Sequence, residues 1–172
     1  MDIIIREENN KDFNEVYDVV RLAFENAEHT DHNEHNLVNR LRNSDAFIKE
    51  LSLVAESDEK IIGHTMITKI KIGEYTSLAL APLAVLPKYH GVGVGRKLIL
   101  EGHKIAKDLG YGSVIILGDS KYYSRFGYEP ASKWGIEAPF EVPDENFMAI
   151  ELIDNGLKNV SGEVIYAKEF FE

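Results

Sequence analysis

The sequence has 172 residues, a formal net charge of −10 and no cysteine. This length is typical of one domain, and the lack of cysteine excludes disulfide frameworks, thiolate metal sites and a covalent cysteine intermediate. The acidic balance disfavours nucleic acid as a partner, because phosphates need a basic surface.

Neither a membrane span nor a secretion signal stands out. The longest apolar run, Leu78–Leu86, is far shorter than the about 20 residues that a membrane-crossing helix needs. The N-terminus lacks a basic region followed by a long apolar stretch, and no Pro-, Gly- or Ser-rich linker divides the chain. We therefore expect a single domain over residues 1–172, in the cytoplasm and without a membrane partner.

The first half of the chain predicts a strand, two helices and an antiparallel hairpin. Asn9 or Asn10 can cap a helix, and the apolar residues that follow are spaced at helical intervals as far as Phe24. Leu51–Glu56 and Ile61–Ile72 alternate around a polar turn, which predicts the hairpin. The first strand and the second helix are predicted at Ile3–Ile5 and around Leu37–Leu41.

The second half predicts a strand, a helix and a further strand. Leu78–Leu86 is apolar on both faces, which is typical of a covered central strand, and Pro82 within it must break or bulge the ladder. A glycine-rich turn leads into an amphipathic helix that ends near Gly110, and the strand Val114–Leu117 follows. This order predicts a crossover that makes the two strands parallel. Two closing strands are predicted at Phe147–Leu152 and Glu163–Ala167, around a turn at 154–156.

These elements together define the fold class. We expect an α/β fold with a mixed central sheet, in which one parallel strand pair lies inside, hairpins lie at the edges, and helices flank the sheet.

The turn after the central strand gives the main chemical signal. Glycines in Gly91–Gly95 let a ligand approach the backbone, and the helix start offers free amides to phosphate. The patterns G-x-G-x-x-G and G-x-x-x-x-G-K-[S/T] do not fit from Gly91, since Arg96 takes the last glycine position. Residues 88–107 hold five basic residues against one acidic residue, a net charge of +4. We interpret the turn as a phosphate site; the alternative is a tight turn with solvated lysines.

Two segments resemble a known family. His90, Gly93 and Gly95 lie at the defined positions of [Q/R]-x-x-G-x-[G/A], the acetyl-CoA pyrophosphate motif of the GNAT N-acetyltransferase superfamily. His90 departs from the Gln or Arg of that motif. Tyr122–Pro130 resembles the later family segment Y-x-[K/R]-[L/F]-G-[F/Y], and the run from Gly118 to Pro130 looks closest to a bacterial subgroup of the YhbS type.

The resemblance implies a GNAT-like acyl-CoA N-acyltransferase fold and acetyl transfer from acetyl-CoA, the cosubstrate, to an amine. In the family, amides of the glycine-rich turn hold the pyrophosphate. A parallel strand pair splays apart, its exposed edge holds the pantetheine arm, and one amide can polarise the thioester carbonyl. The cofactor-binding residues implied in this way are Leu83, Ala84, Val85, His90, Gly91, Val92, Gly93, Val94, Gly95, Arg96 and Lys97.

The leaving thiolate needs a proton, and the resemblance implies a tyrosine as its donor. Tyr123 lies four residues before Gly127, at the position of the family's general acid, and its neighbour Tyr122 is the alternative. The general base stays open among six residues: Glu28, His29, His32, Glu34, His64 and Asp119.

The spacing His29-x-x-His32-x-x-His35 invites a comparison with metal sites. It does not match H-E-x-x-H, and no distant ligand set accompanies it. We expect a solvated loop and no metal.

The sequence therefore predicts an enzyme, an acetyl-CoA-dependent N-acetyltransferase that works by direct attack in a ternary complex. Two other hypotheses stay open, because a fold does not define a function. One is a non-catalytic acyl-CoA-binding or sensor module on the same fold, and the other is a nucleotide-binding protein. The identity of the amine acceptor is open, and so is the oligomeric state, with a homodimer among the options.

Overall fold

The computed structural model describes residues 1–172 as nine strands and four α-helices. The strands are β1 (Ile4–Glu7), β2 (Ser52–Ser57), β3 (Lys60–Ile72), β4 (Tyr75–Val85), β5 (Ser113–Leu117), β6 (Glu129–Pro130), β7 (Ile136–Glu137), β8 (Phe147–Glu151) and β9 (Gly162–Ile165). The helices are α1 (Phe13–Phe24), α2 (Glu34–Arg42), α3 (Val94–Asp108) and α4 (Ser120–Tyr123). None of these helices has the length and apolar character needed to cross a membrane.

The strands form a mixed sheet in the order β1-β2-β3-β4-β5-β8-β6. Along this path every pair is antiparallel except β4 and β5, which are joined through α3 and run parallel. The fold class predicted from the sequence is thereby confirmed. At one end of the sheet, β9 pairs with the end of β3 and, in parallel over two residues, with β7.

Helices cover both faces of the sheet. Strand β3 contacts both helical layers, because its successive side chains point to opposite sides. Met66 packs in the cluster formed by α1 and α2, whereas Ile67 packs in the cluster that includes α3. The tyrosines of α4 border this second cluster. The chain after Ala131 covers the rest of the first face with its own cluster around Phe147.

The parallel pair separates soon after it forms. Ala79 and Ile115 are the only registered partners between β4 and β5. Further along, β4 carries an extra residue against β3, since Leu80 faces Ile67 and Leu83 already faces Thr65. This confirms the irregularity that Pro82 predicts. The β4 edge from Leu80 to Val85 therefore lacks a strand partner on the β5 side.

Two details differ from the sequence-based expectation. β8 and β9 form where strands were predicted, but they do not pair with each other around the intervening turn, since β8 lies between β5 and β6 and β9 lies beside β3. The short helix α4, which directly follows β5, was not predicted at all. Its position matters because it places Tyr122 beside the start of α3.

Candidate active site

A cavity of about 460 Å³ opens where β4 ends and α3 begins. Its lining includes eight of the residues implied by the sequence, namely Leu83, Val85, His90, Gly91, Gly93, Val94, Gly95 and Arg96. Tyr89, Tyr122, Arg125 and Phe126 complete the lining. The structure thus brings the end of β4, the glycine-rich turn and α4 together around one space.

The start of α3 forms a cradle of backbone amides at this cavity. Gly93 adopts a left-handed conformation, with φ of 89° and ψ of 12°, which turns the chain into the helix and suits glycine. The amide of Lys97 donates to the carbonyl of Gly93 at 3.1 Å. Because helical bonding begins there, the amides of Val94, Gly95 and Arg96 have no partner within the helix. Free amides and the helix dipole favour an anion at this point.

The His90 side chain folds the turn back onto β4. Its Nε2 atom lies 2.9 Å from the carbonyl oxygen of Val85, so the ring N–H donates to that carbonyl. This contact gives the histidine a structural role at the position where the family motif has Gln or Arg. It also occupies the carbonyl of Val85.

The end of β4 exposes the backbone of alternate residues to the cavity side. The amide of Leu86 donates to the carbonyl of Ile62 on β3 at 2.9 Å. Since antiparallel pairs alternate, Ala84 also directs its backbone groups to β3, and its side chain is buried. The backbone groups of Leu83 and the amide of Val85 face the open edge. Ala84 therefore departs from the predicted role at that edge.

Three other residues of the predicted set do not direct their side chains into the cavity. Val92 and Lys97 are exposed and are absent from the cavity lining. The Val94 side chain is buried in the cluster beneath α3, so only its backbone can serve the site. The sequence pattern indicates which backbone turns at this point, but not which side chains point into the space.

The two adjacent tyrosines occupy different environments. Tyr122 lines the cavity. Tyr123 is not among the lining residues, and its ring lies against Gly118 and edge-on to Tyr122 at a centroid distance of 5.1 Å. Burial raises the pKa of Tyr122 above its ordinary value, against a lowering effect of the Arg125 charge. Burial, and then the neighbouring Tyr122, raises the pKa of Tyr123 well above its ordinary value. Both phenols are therefore protonated at neutral pH.

A hydrogen-bonded pair supports Tyr123 from the other side. The Tyr128 ring lies edge-on to Tyr123 at 5.7 Å, and its hydroxyl is 2.7 Å from Nε2 of His103 on α3. Burial lowers the pKa of His103 to about 4, so its ring is neutral. Sequence reasoning did not identify this pair, since His103 lies beside an apolar helical stripe and Tyr128 lies 25 residues further along.

None of the six candidate bases lines the cavity. Glu28, His29 and His32 are exposed in the loop between α1 and α2. Glu34 begins α2, and the carboxylate of Asp119 accepts from the Lys121 amide at 2.9 Å as the cap of α4. The structure contains no group of three or more His, Cys, Asp or Glu residues arranged to hold a metal.

His64, the sixth candidate, is fully buried in a polar cluster. Its Nε2 atom lies 3.3 Å from the Ser52 hydroxyl and 3.8 Å from the Glu8 carboxylate, which also pairs with Arg42 at 2.8 Å. Burial, and then the Arg42 charge, lowers the pKa of His64 to about 3. A histidine without access to the cavity and with this pKa is poorly suited to accept a proton from an amine.

Comparisons with known proteins agree with this geometry. Residues 49–130 match the family model of the acetyltransferase (GNAT) domain. The N-acetyltransferase YhbS of Escherichia coli is 37% identical over 140 residues, which cover 80% of this chain and 83% of that protein. YjhQ, another N-acetyltransferase of E. coli, is 39% identical over 118 residues, which cover 66% of this chain and 65% of that protein. The chain belongs to the GNAT acetyltransferase family.

Two solved structures share the fold over nearly the whole chain. The crystal structure of YhbS from E. coli in complex with CoA has a TM-score of 0.90 and 32% identity, and the match covers 99% of this chain and 92% of that one. A GNAT family acetyltransferase from Brucella melitensis in complex with acetyl-CoA has a TM-score of 0.82 and 31% identity, with 98% of each chain covered. The resemblance to the GNAT family and to its YhbS type is thereby confirmed.

Proposed function

We propose that the protein transfers an acetyl group from acetyl-CoA to a primary amine by direct attack within a ternary complex. The observation that carries this proposal is the cavity in which the free amides of α3 meet the unpaired edge of β4. The relatives bound to CoA and acetyl-CoA support the choice of cofactor. The absence of cysteine supports direct transfer, because no thiol is available to carry the acetyl group.

The cofactor diphosphate binds at the turn from His90 to Arg96. The His90 amide already donates to the carbonyl of Pro87 at 3.2 Å, but the amides from Gly91 to Arg96 are free, and the helix dipole favours negative charge. Arg96 and Arg125 line the same cavity and add positive charge. Lys97 is exposed one residue further on and contributes through the local field. Gly91, Val92 and Gly93 contribute their backbone.

The pantetheine arm lies along the open edge of β4. The backbone groups of Leu83 and the amide of Val85 are available there, because β5 has already separated from β4. One of these amides polarises the thioester carbonyl, since a donor that faces the developing oxyanion stabilises the transition state.

The reaction needs one nucleophile, one proton acceptor and one proton donor. A neutral amine attacks the carbonyl carbon, the carbon–sulfur bond breaks, and the amide bond forms. The amine proton leaves to water or a base, and the CoA sulfur receives a proton, so charge balances. Tyr123 is the proposed donor because its spacing to Gly127 matches the family motif, and its phenol is protonated at neutral pH.

A thiol-release assay with acetyl-CoA and a panel of amines tests the proposal. The panel covers small amines, amino acids, polyamines, aminoglycosides and lysine peptides. We expect amine-dependent CoA release from the natural chain, and a kcat about 100-fold lower in Tyr123→Phe with an unchanged dissociation constant for CoA. Full activity of Tyr123→Phe would remove this residue from the mechanism.

A second candidate function is a non-catalytic acyl-CoA-binding or sensor module. The observation in its favour is that no carboxylate lines the cavity. This candidate predicts tight CoA binding without thiol release for any amine of the panel.

A further inference from the structure

Tyr122 and Gly95 are in unusually close contact at the first turn of α3. A Cβ atom placed on Gly95 would lie 2.7 Å from the Tyr122 hydroxyl, whereas the Leu83 and Val85 side chains would lie 3.7 and 3.8 Å away. A methyl group at position 95 would therefore collide with the hydroxyl. The phenol reaches the helix start because residue 95 has no side chain.

The Tyr122 ring is held while its hydroxyl stays unpaired. Tyr123 and Phe126 pack edge-on against it at 5.1 and 5.3 Å, and the Arg125 guanidinium lies 5.8 Å from the ring centroid. The neighbouring Tyr128 hydroxyl is bonded to His103, but the Tyr122 hydroxyl makes no hydrogen bond within the protein. A fixed ring with an unpaired hydroxyl in a cavity is suited to bind a ligand.

We propose that Tyr122 is a cofactor-binding residue, whose hydroxyl donates a hydrogen bond to the diphosphate that the first turn of α3 holds. This inference rests on the proposed function. It separates the roles of two adjacent tyrosines, with Tyr122 holding the anion and Tyr123 serving the departing thiolate. The raised pKa of Tyr122 keeps the hydroxyl protonated and able to donate.

The location of the contact points to the diphosphate rather than to the arm. Gly95 belongs to the first helical turn, whose amides are free, so an anion bound there lies next to the phenol. Arg96 and Arg125, the two arginines of the cavity lining, strengthen the positive field around the same place. A donor in such a field contributes most when its acceptor is charged.

Calorimetry with CoA and with adenosine 3′-phosphate 5′-diphosphate tests the inference, because the second ligand keeps the diphosphate but lacks the pantetheine arm. We expect Tyr122→Phe to weaken the binding of both ligands about tenfold. The matched control is Tyr75→Phe, which removes a hydroxyl from the exposed start of β4 and leaves both affinities unchanged.

Two results would overturn the inference. Equal affinities of the natural chain and Tyr122→Phe for both ligands would show that the hydroxyl makes no contact. Weakened CoA binding with unchanged binding of the second ligand would assign the contact to the arm. If the natural chain bound neither ligand, the proposed function itself would fail, so the two failures are distinguishable.

Discussion

The Tyr122 hydroxyl lies against the place where a side chain at position 95 would begin, and Gly95 leaves that place empty. The contact joins α3 to α4, and thereby the amide cradle at the start of α3 to the segment that holds both tyrosines. Tight interiors respond to added methyl groups with strain. The two positions should therefore be coupled energetically.

A double-mutant cycle measures this coupling. We expect Gly95→Ala to lower the free energy of unfolding by about 1–3 kcal/mol, because the new methyl group collides with the hydroxyl. In a Tyr122→Phe background the loss should be at least about 1 kcal/mol smaller. Urea unfolding of the natural chain, the two single variants and the double variant gives the four free energies of unfolding. Gly95→Ala combined with Tyr75→Phe is the control and should be additive, and additivity with Tyr122→Phe would contradict the contact.

At the scale of the element, the bulge in β4 aims the open edge at the cavity. The Thr65 hydroxyl on β3 donates to the Pro82 carbonyl at 2.9 Å, at the place where the register between β3 and β4 shifts. Thr68 lies on the same strand and is equally buried, but its hydroxyl has no partner. The two threonines thus form a natural comparison between a paired and an unpaired buried hydroxyl.

Valine in place of each threonine should give opposite results. Thr65→Val removes the buried hydrogen bond to the Pro82 carbonyl, and we expect it to lower the free energy of unfolding by about 1–3 kcal/mol. Thr68→Val removes an unpaired hydroxyl and should be neutral or stabilising. Denaturant unfolding of the two variants measures both changes. Equal losses of unfolding free energy would argue against a special role of the hydrogen bond between Thr65 and Pro82.

The cluster of Glu8, Arg42, Ser52 and His64 joins the end of β1 to α2, β2 and β3. All four side chains are largely removed from solvent. Breaking a buried ion pair is costly because it leaves an unpaired charge. The cluster also contains a neutral histidine, whose Nδ1 atom has no partner. Protonation of that ring would add a second cation beside Arg42.

Stability should therefore fall as the pH falls. The pKa of His64 is lowered from 6.5 in an unfolded chain to about 3, so between these values the unfolded chain binds a proton that the folded chain does not. We expect this residue to cost about 2 kcal/mol of unfolding free energy between pH 7 and pH 5.

His64→Gln tests this expectation, because glutamine retains a polar group near Ser52 but does not titrate. Urea unfolding at pH 7 and pH 5 should show a loss about 2 kcal/mol smaller in the variant than in the natural chain. Identical pH dependence of the two chains would contradict the assigned role. His103, whose pKa is also lowered, stays in both chains and does not affect the comparison.

At the scale of the whole molecule, an acidic chain places its basic segment at the cavity. The net charge is −10, yet residues 88–107 carry +4 and form the turn and helix that face the cavity. Such a field concentrates an anionic ligand at one place and repels it elsewhere. A multiply charged cofactor should therefore stabilise the fold strongly.

Thermal unfolding with and without ligand measures this stabilisation by the cofactor. CoA at a hundred times its dissociation constant should add about 2.7 kcal/mol, which for this chain length raises Tm by about 5–10 °C. ATP and NAD at the same concentration are the controls and should raise Tm less, because they lack the pantetheine arm. An equal effect of ATP would favour the nucleotide-binding hypothesis.

Local patterns determined much of this protein from the sequence alone. Alternation, helical spacing and the Gly91–Gly95 turn predicted the strand, turn and helix that line the cavity and the parallel strand that follows them. Pro82 predicted the irregular ladder. These signals depend on residues that are neighbours in sequence, so each can be recognised without knowing the rest of the fold. The family, and the turn that we propose holds its cofactor, followed from the same short segments.

Only the tertiary structure decided which groups face the site. The register against β3 turns Ala84 away from the open edge. The packing of α4 against α3 brings Tyr122 into the cavity lining and directs the Tyr123 ring toward Gly118 instead. His64 is buried against Glu8, which follows β1, and Ser52 of β2. Such outcomes depend on contacts between distant parts of the chain, because strand pairing and helix packing, not local spacing, orient a side chain.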